Sequence, residues 1–92
     1  MSKRVWQIRG WDGNKLIFER KIPVGMMSER EVRTLLQRLY SRHLTDEEIY
    51  RGSLRRNQKE HATFFEIQRE IQPILNIGDS VTYVARATDM ET

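Results

Sequence analysis

The segment Ser28 to Leu44, SEREVRTLLQRLYSRHL, leaves this chain the fewest choices. Ser28 stands where a hydroxyl caps a helix N-terminus, and Glu31 stands where a carboxylate reaches back to the Ser28 N–H, the capping-box arrangement. Met27 and Val32 flank the cap as a hydrophobic staple. Val32, Leu35, Leu36, Leu39, Tyr40 and His43 then recur at helical spacing and form one apolar stripe. Arg30, Arg33, Gln37, Arg38, Ser41 and Arg42 occupy the opposite arc. Glu29 and Glu31 in the first turn and Arg42 in the last suit the helix dipole. A helix with one dry stripe needs a second layer, which a chain of 92 residues must supply within a single domain spanning residues 1–92.

Strands are the expected partner. Arg4 to Arg9 alternates, with Trp6 and Ile8 on one side, and Lys15 to Ile22 alternates with Leu16, Phe18 and Ile22 on one side. Trp11-Asp12-Gly13-Asn14 between them is a turn signal. A two-residue Asp12-Gly13 turn would mix the faces. A three-residue loop, Trp11-Asp12-Gly13 or Asp12-Gly13-Asn14, keeps them together. The first of these, with Gly13 left-handed in a bulge, sets Ile8 opposite Leu16 and Trp6 opposite Phe18.

Beyond Leu44, Thr45 and Glu48 repeat the capping box and predict a short helix over Asp46 to Arg51, with Gly52 as a left-handed stop. Ser53 to Glu60 is polar and basic, and reads as a loop. Ala62 to Ile71 fits both the strand and the helix period, and its aromatic and β-branched residues favour strand. Gln72-Pro73 ends it. Ile74, Leu75 and Ile77 read as an apolar connection under the sheet, and Val81 to Ala87 as the last strand. Residues 88–92 are expected to fray as a disordered tail.

The resulting order, β-β-α-α-β-β, predicts an α+β fold: a four-stranded sheet with the long helix across one face. The helix leucines are expected to meet Trp6, Ile8, Leu16, Phe18, Phe65 and Ile67. The order resembles that of β-grasp (ubiquitin-like) domains, which implies parallel pairing of the first and last strands at the sheet centre; a plain antiparallel sheet is the alternative.

Motifs for chemistry are missing. There is no cysteine, so no disulfide framework or thiolate site, in keeping with a reducing cytoplasm. The N-terminus has no long apolar run, so neither a signal peptide nor a membrane span is expected. The two histidines, His43 and His61, have no ligand cluster around them, and no metal or cofactor is expected. Asp46, Glu47 and Glu48 are explained by the first turn of a helix. Gly10, Gly13 and Gly25 match no phosphate-binding fingerprint. An enzyme is not expected.

What remains is surface charge. The sixteen basic residues comprise twelve arginines and four lysines, for a net charge of +3. Arginine favours bidentate contacts with carboxylate or phosphate. Arg30, Arg33, Arg38, Arg42, Arg51, Arg55, Arg56 and Lys59 are candidates for one patch with Tyr50 beside it, and Trp11 is a candidate anchor at the hairpin tip. The leading expectation is a small non-enzymatic binding module in the cytoplasm. Its partner would be another protein, or a second copy recruited through a sheet edge. RNA or DNA binding through the arginines is the alternative.

Overall fold

A computed structural model describes residues 3–70 and 74–90. The elements in chain order are β1 (Lys3–Asp12), β2 (Lys15–Pro23), a 3-10 turn (Val24–Met26), α1 (Glu29–Ser41), α2 (Asp46–Ser53), β3 (Gln68–Arg69), β4 (Ile74–Gly78) and β5 (Val81–Met90). The fold is α+β, but the sheet has five strands rather than four, in the order β2-β1-β5-β4-β3. The additional strand is β4, expected to be a connection. Leu75 and Ile77 are both buried, because the alternation of that short run drives every second residue into the core.

First and last strands do pair, but antiparallel, from Lys3 opposite Met90 to Asp12 opposite Val81. Every other pairing is antiparallel as well. The resemblance to β-grasp domains therefore fails at its defining contact. The same pairing corrects the expected tail, since residues 88–90 belong to β5, with Thr88 opposite Val5 and Asp89 opposite Arg4. Residues 91 and 92, like Ile71 and the Gln72-Pro73 break, lie outside the described residues.

The hairpin is bulged, and Gly13 has a φ of +60°. Its register differs from the expectation: Trp6 faces Ile22, Ile8 faces Arg20 and Gly10 faces Phe18, with the turn at Gly13-Asn14. The bulge lies deeper, where Gly10 pairs with Phe18 but Trp11 pairs with Leu16, so Ile17 has no partner. That extra residue moves Leu16 to the other side of β2, where it is exposed.

Core and helix faces follow from this register. Val32 and Leu36 of α1 pack against Trp6, Ile8, Leu75, Ile77, Tyr83 and Ala85, with Phe18, Ile22, Leu35, Leu39, Tyr40 and Ile67 around them. Leu16 and Phe65 are not part of this core. Tyr83 is fully buried, and its hydroxyl lies 2.7 Å from His43 Nε2, just past the end of α1. Trp6 is anchored too, its Nε1 donating to the Met27 carbonyl at 2.9 Å.

Both capping boxes form. Glu31 N donates to Ser28 Oγ at 3.2 Å and Ser28 N to Glu31 Oε1 at 3.0 Å, and Thr45 and Glu48 make the equivalent pair at 3.2 and 2.9 Å. Ser28→Ala is expected to lower stability by about 1 kcal/mol. The Ser28 N–H, and then its hydroxyl, hold the Glu31 carboxyl below the ordinary glutamate value. The stabilisation is present above that ordinary value and is lost as pH falls through the depressed one. Urea midpoints measured across the acid range will show a shallower loss in Glu31→Gln, which cannot titrate.

Within the segment expected as a strand over Ala62 to Ile71, the described residues 62–70 are irregular except for β3. Glu66 N donates to the Thr63 carbonyl in a turn at 3.2 Å, and Gln37 Nε2 holds the Phe65 carbonyl at 2.9 Å. These polar anchors keep the chain on the helix side until Gln68 joins β4. Gly52 also departs from expectation. It lies within α2 without a positive φ, and its role is steric: a Cβ there would sit 2.8 Å from the Phe65 ring. Among the described residues no helix is long and apolar enough to cross a membrane.

Candidate functional site

The residues from Leu54 to Gln68 have little regular structure, yet they are held at many points. Ala62 N donates to the Arg51 carbonyl at 3.1 Å, and Arg51 Nε donates to the Glu60 carbonyl at 3.0 Å, so the chain returns at residues 60–62 to close on α2. His61 Nδ1 donates to the Leu54 carbonyl at 2.9 Å. Arg56 reaches Glu66 at 2.9 Å across the segment. On the α1 side, Arg33 and Gln37 stand one turn apart. Glu29 holds Arg33 at 3.5 Å and Arg69 of β3 at 3.2 Å, which ties the helix to the sheet edge.

Between α1 and this segment lies a cleft of about 520 Å³. Arg33, Gln37, Arg55, Arg56, His61 and Gln68 supply its polar lining, with Glu66 as the carboxylate, and Leu54, Phe65 and Ile67 supply the apolar part. Guanidinium, imidazole and amide groups from α1, the loop segment and β3 thus border one concavity, the kind of lining that can receive a small anionic group. Arg55 makes no ion pair among the described residues, so its charge is available to a ligand.

The expected single basic patch is therefore divided. Arg33, Arg55 and Arg56 share the cleft. Arg30 and Arg38 border a different groove with Met27, Thr34 and Leu35, and Arg42 is the exposed C-cap of α1. Arg51 is occupied with loop backbone, and Lys59 is exposed at the loop. Tyr50 is 53 % exposed but does not line the cleft. Trp11 is half-buried, opposite Leu16 and Thr82, on the sheet face turned away from α1.

No family model, curated protein or solved structure matches this chain. The site is accordingly assigned from its own geometry.

Sequence reasoning missed His61, Gln37 and Gln68 as cleft residues. Gln37 carried a signal, being one turn from Arg33. His61 carried none, because its place depends on a bond to Leu54, seven residues away.

A second concavity, of about 390 Å³, shares Glu66 and Gln68 with the cleft and is lined as well by Tyr40, Thr63, Phe64, Asn76 and Asp79 among others. Burial, with Glu48 and then Asp79 nearby, pushes the Tyr40 phenol above its ordinary value, so it stays a neutral hydroxyl. Among the described residues no group of three or more acidic or histidine side chains is placed to hold a metal ion.

Proposed function

We propose that this chain is a non-enzymatic cytoplasmic module that binds an acidic segment of a partner protein in the cleft between α1 and the 54–68 segment. The observation that carries the reading is the convergence of Arg33, Arg55, Arg56 and His61 on one cavity. Charge-assisted bonds from guanidinium forks give such a site both attraction and geometric selectivity. Glu29 and Glu66, already bonded to Arg33 and Arg56, mark the kind of group the cleft accepts.

A sheet edge supports the partner role less well. β2 is an edge strand, but it carries Lys15, Glu19, Arg20 and Lys21, and charge on an edge opposes pairing with another strand. Arg20 lies 5.2 Å from the centroid of the Phe18 ring and donates to the Glu19 carbonyl at 2.7 Å.

Nucleic-acid binding is the second reading, favoured by Arg30, Arg38 and Arg42, which are exposed and make no ion pair among the described residues. The two readings place the contacts differently. Binding of a Glu-rich peptide is expected to weaken about three- to tenfold in Arg55→Ala and in Arg56→Ala, and to change little in Arg38→Ala. Titrations with the peptide and with a single-stranded oligonucleotide over a range of salt decide between them. Tighter oligonucleotide binding that is lost in Arg38→Ala and Arg42→Ala would replace the protein-partner reading with the nucleic-acid one.

A further inference from the structure

We infer that the second concavity, between the end of α1, the 63–68 segment and the β4–β5 turn, takes a guanidinium group held against its aromatic lining and the Asp79 carboxylate. The inference goes beyond the cleft reading and does not depend on it. Two aromatic side chains, Tyr40 and Phe64, line the space together with the carboxylates of Glu66 and Asp79 and the amides of Gln68 and Asn76. No cationic side chain is among the lining residues. At about 390 Å³ it has the size of a small-ligand site. Glu66, Gln68 and Asp79 are exposed, so a guest reaches them from solvent.

The chain assembles this lining for local reasons. β4 ends at Gly78, whose φ of +101° lets the chain turn back into β5. The Tyr40 ring lies against that glycine, since a Cβ there would sit 2.8 Å from Tyr40 Cε1. Asp79 is therefore carried to the phenol, and Phe64 enters from the loop segment.

Charge and hydrogen-bonding capacity both point to an organic monocation. Glu66 is held by Arg56 at 2.9 Å, on the cleft side. Asp79 makes no ion pair among the described residues and remains the uncompensated charge of the lining. Carboxylates, amide oxygens and the phenol can all accept hydrogen bonds. A guanidinium offers five N–H donors in one plane and stacks on aromatic faces, whereas an ammonium is a compact, strongly hydrated head with three. Acceptors spread around aromatic side chains match the planar cation better.

The test titrates the full chain, isotopically labelled, at constant ionic strength with the blocked amides of arginine, lysine and citrulline, the last being the neutral isostere of the first. The arginine compound is expected to bind at least about tenfold tighter than the citrulline compound, and about threefold tighter than the lysine one. Saturable shifts are expected at the Gln68 and Asn76 side-chain amides and the Gly78 N–H. Asp79→Asn, at an exposed turn position, is expected to weaken binding about tenfold, and Phe64→Leu about threefold. Glu60→Gln, the same loss of charge outside the pocket, is expected to change nothing. An arginine peptide that binds tighter than free arginine places the guanidinium on a partner chain, and the reverse order makes it a free small molecule. Equal binding of the arginine and citrulline compounds, or affinity untouched by Asp79→Asn, overturns the inference. Lysine binding as tight as arginine overturns the choice of guanidinium. None of these results bears on the cleft, whose Glu-rich peptide is titrated separately.

Discussion

Gly10→Val is expected to leave no cooperative unfolding transition at ambient temperature, and Gly10→Ala to lower stability by about 3 kcal/mol. Gly10 is buried in β1 opposite both Phe18 and Tyr83. A Cβ added there would sit 2.4 Å from Tyr83 Cε1, 2.8 Å from Cδ1 and 3.2 Å from Phe18 Cβ. The ring has nowhere to retreat. Tyr83 is fully buried, its hydroxyl is bonded to His43, and Phe18 meets it edge-on at a centroid distance of 6.4 Å. The gain from restricting a glycine in a strand, about 0.5–1 kcal/mol, is too small to offset such an overlap. A domain of this length is stable by roughly 5–14 kcal/mol, so valine, with two further methyl groups, takes most of the margin. Urea denaturation followed by circular dichroism measures the effect, with Gly25→Ala as a control where an added Cβ meets nothing within 4 Å. A Gly10→Ala protein as stable as the parent would mean that Tyr83 does not lie under Gly10.

The second large effect is at Trp6. Trp6→Ala is expected to cost about 3–5 kcal/mol, and Trp6→Phe nearer 1 kcal/mol. The side chain is 4 % exposed and sits on the core face opposite Ile22 and Ala87. Its indole N–H also holds the Met27 carbonyl at 2.9 Å, immediately before the Ser28 cap. The ring thus fills the end of the core and fastens the entry of α1 to the sheet. Phenylalanine keeps most of the apolar area and loses the hydrogen bond, so the two variants separate packing from anchoring. Equal losses in both would assign nearly all of the effect to the Met27 bond.

How far the fold can be read in advance depends on how local its causes are. The α1 stripe and both capping boxes rest on residues within a few positions of one another, and they form as read except at His43, which lies past the end of α1 and is exposed. The hairpin does not yield so easily. Pairing Trp6 with Phe18 or with Ile22 keeps those two β2 residues on the same face, so alternation alone is blind to a shift of that kind. What decides it is the bulge at Ile17 and the place left by Gly10 for Tyr83, a residue near the other end of the chain. The Ala62 to Ile71 segment shows propensity losing to anchoring: Gln37 takes the Phe65 carbonyl and Phe65 itself lies against Gly52, which leaves Gln68 and Arg69 for the sheet.

The candidate site was legible only as charge. Arg33, Arg55 and Arg56 stand out in the sequence, but so do Arg30, Arg38 and Arg42, and composition gives no reason to separate them. The separation arises from side-chain bonds to backbone, at Leu54, Glu60 and Phe65, that fold the loop against α1. Such bonds leave no periodic trace.

The most direct test of the cleft as the binding surface is a backbone and side-chain shift map of the full chain titrated with an acidic peptide. Saturable changes confined to Arg33, Gln37, the Arg55–Arg56 pair, His61 and Gln68, and weakened by Arg55→Ala but not by Arg38→Ala, are the predicted result. Changes centred instead on the open sheet face around Trp11, Leu16 and Val84, with the cleft residues unmoved, would contradict it.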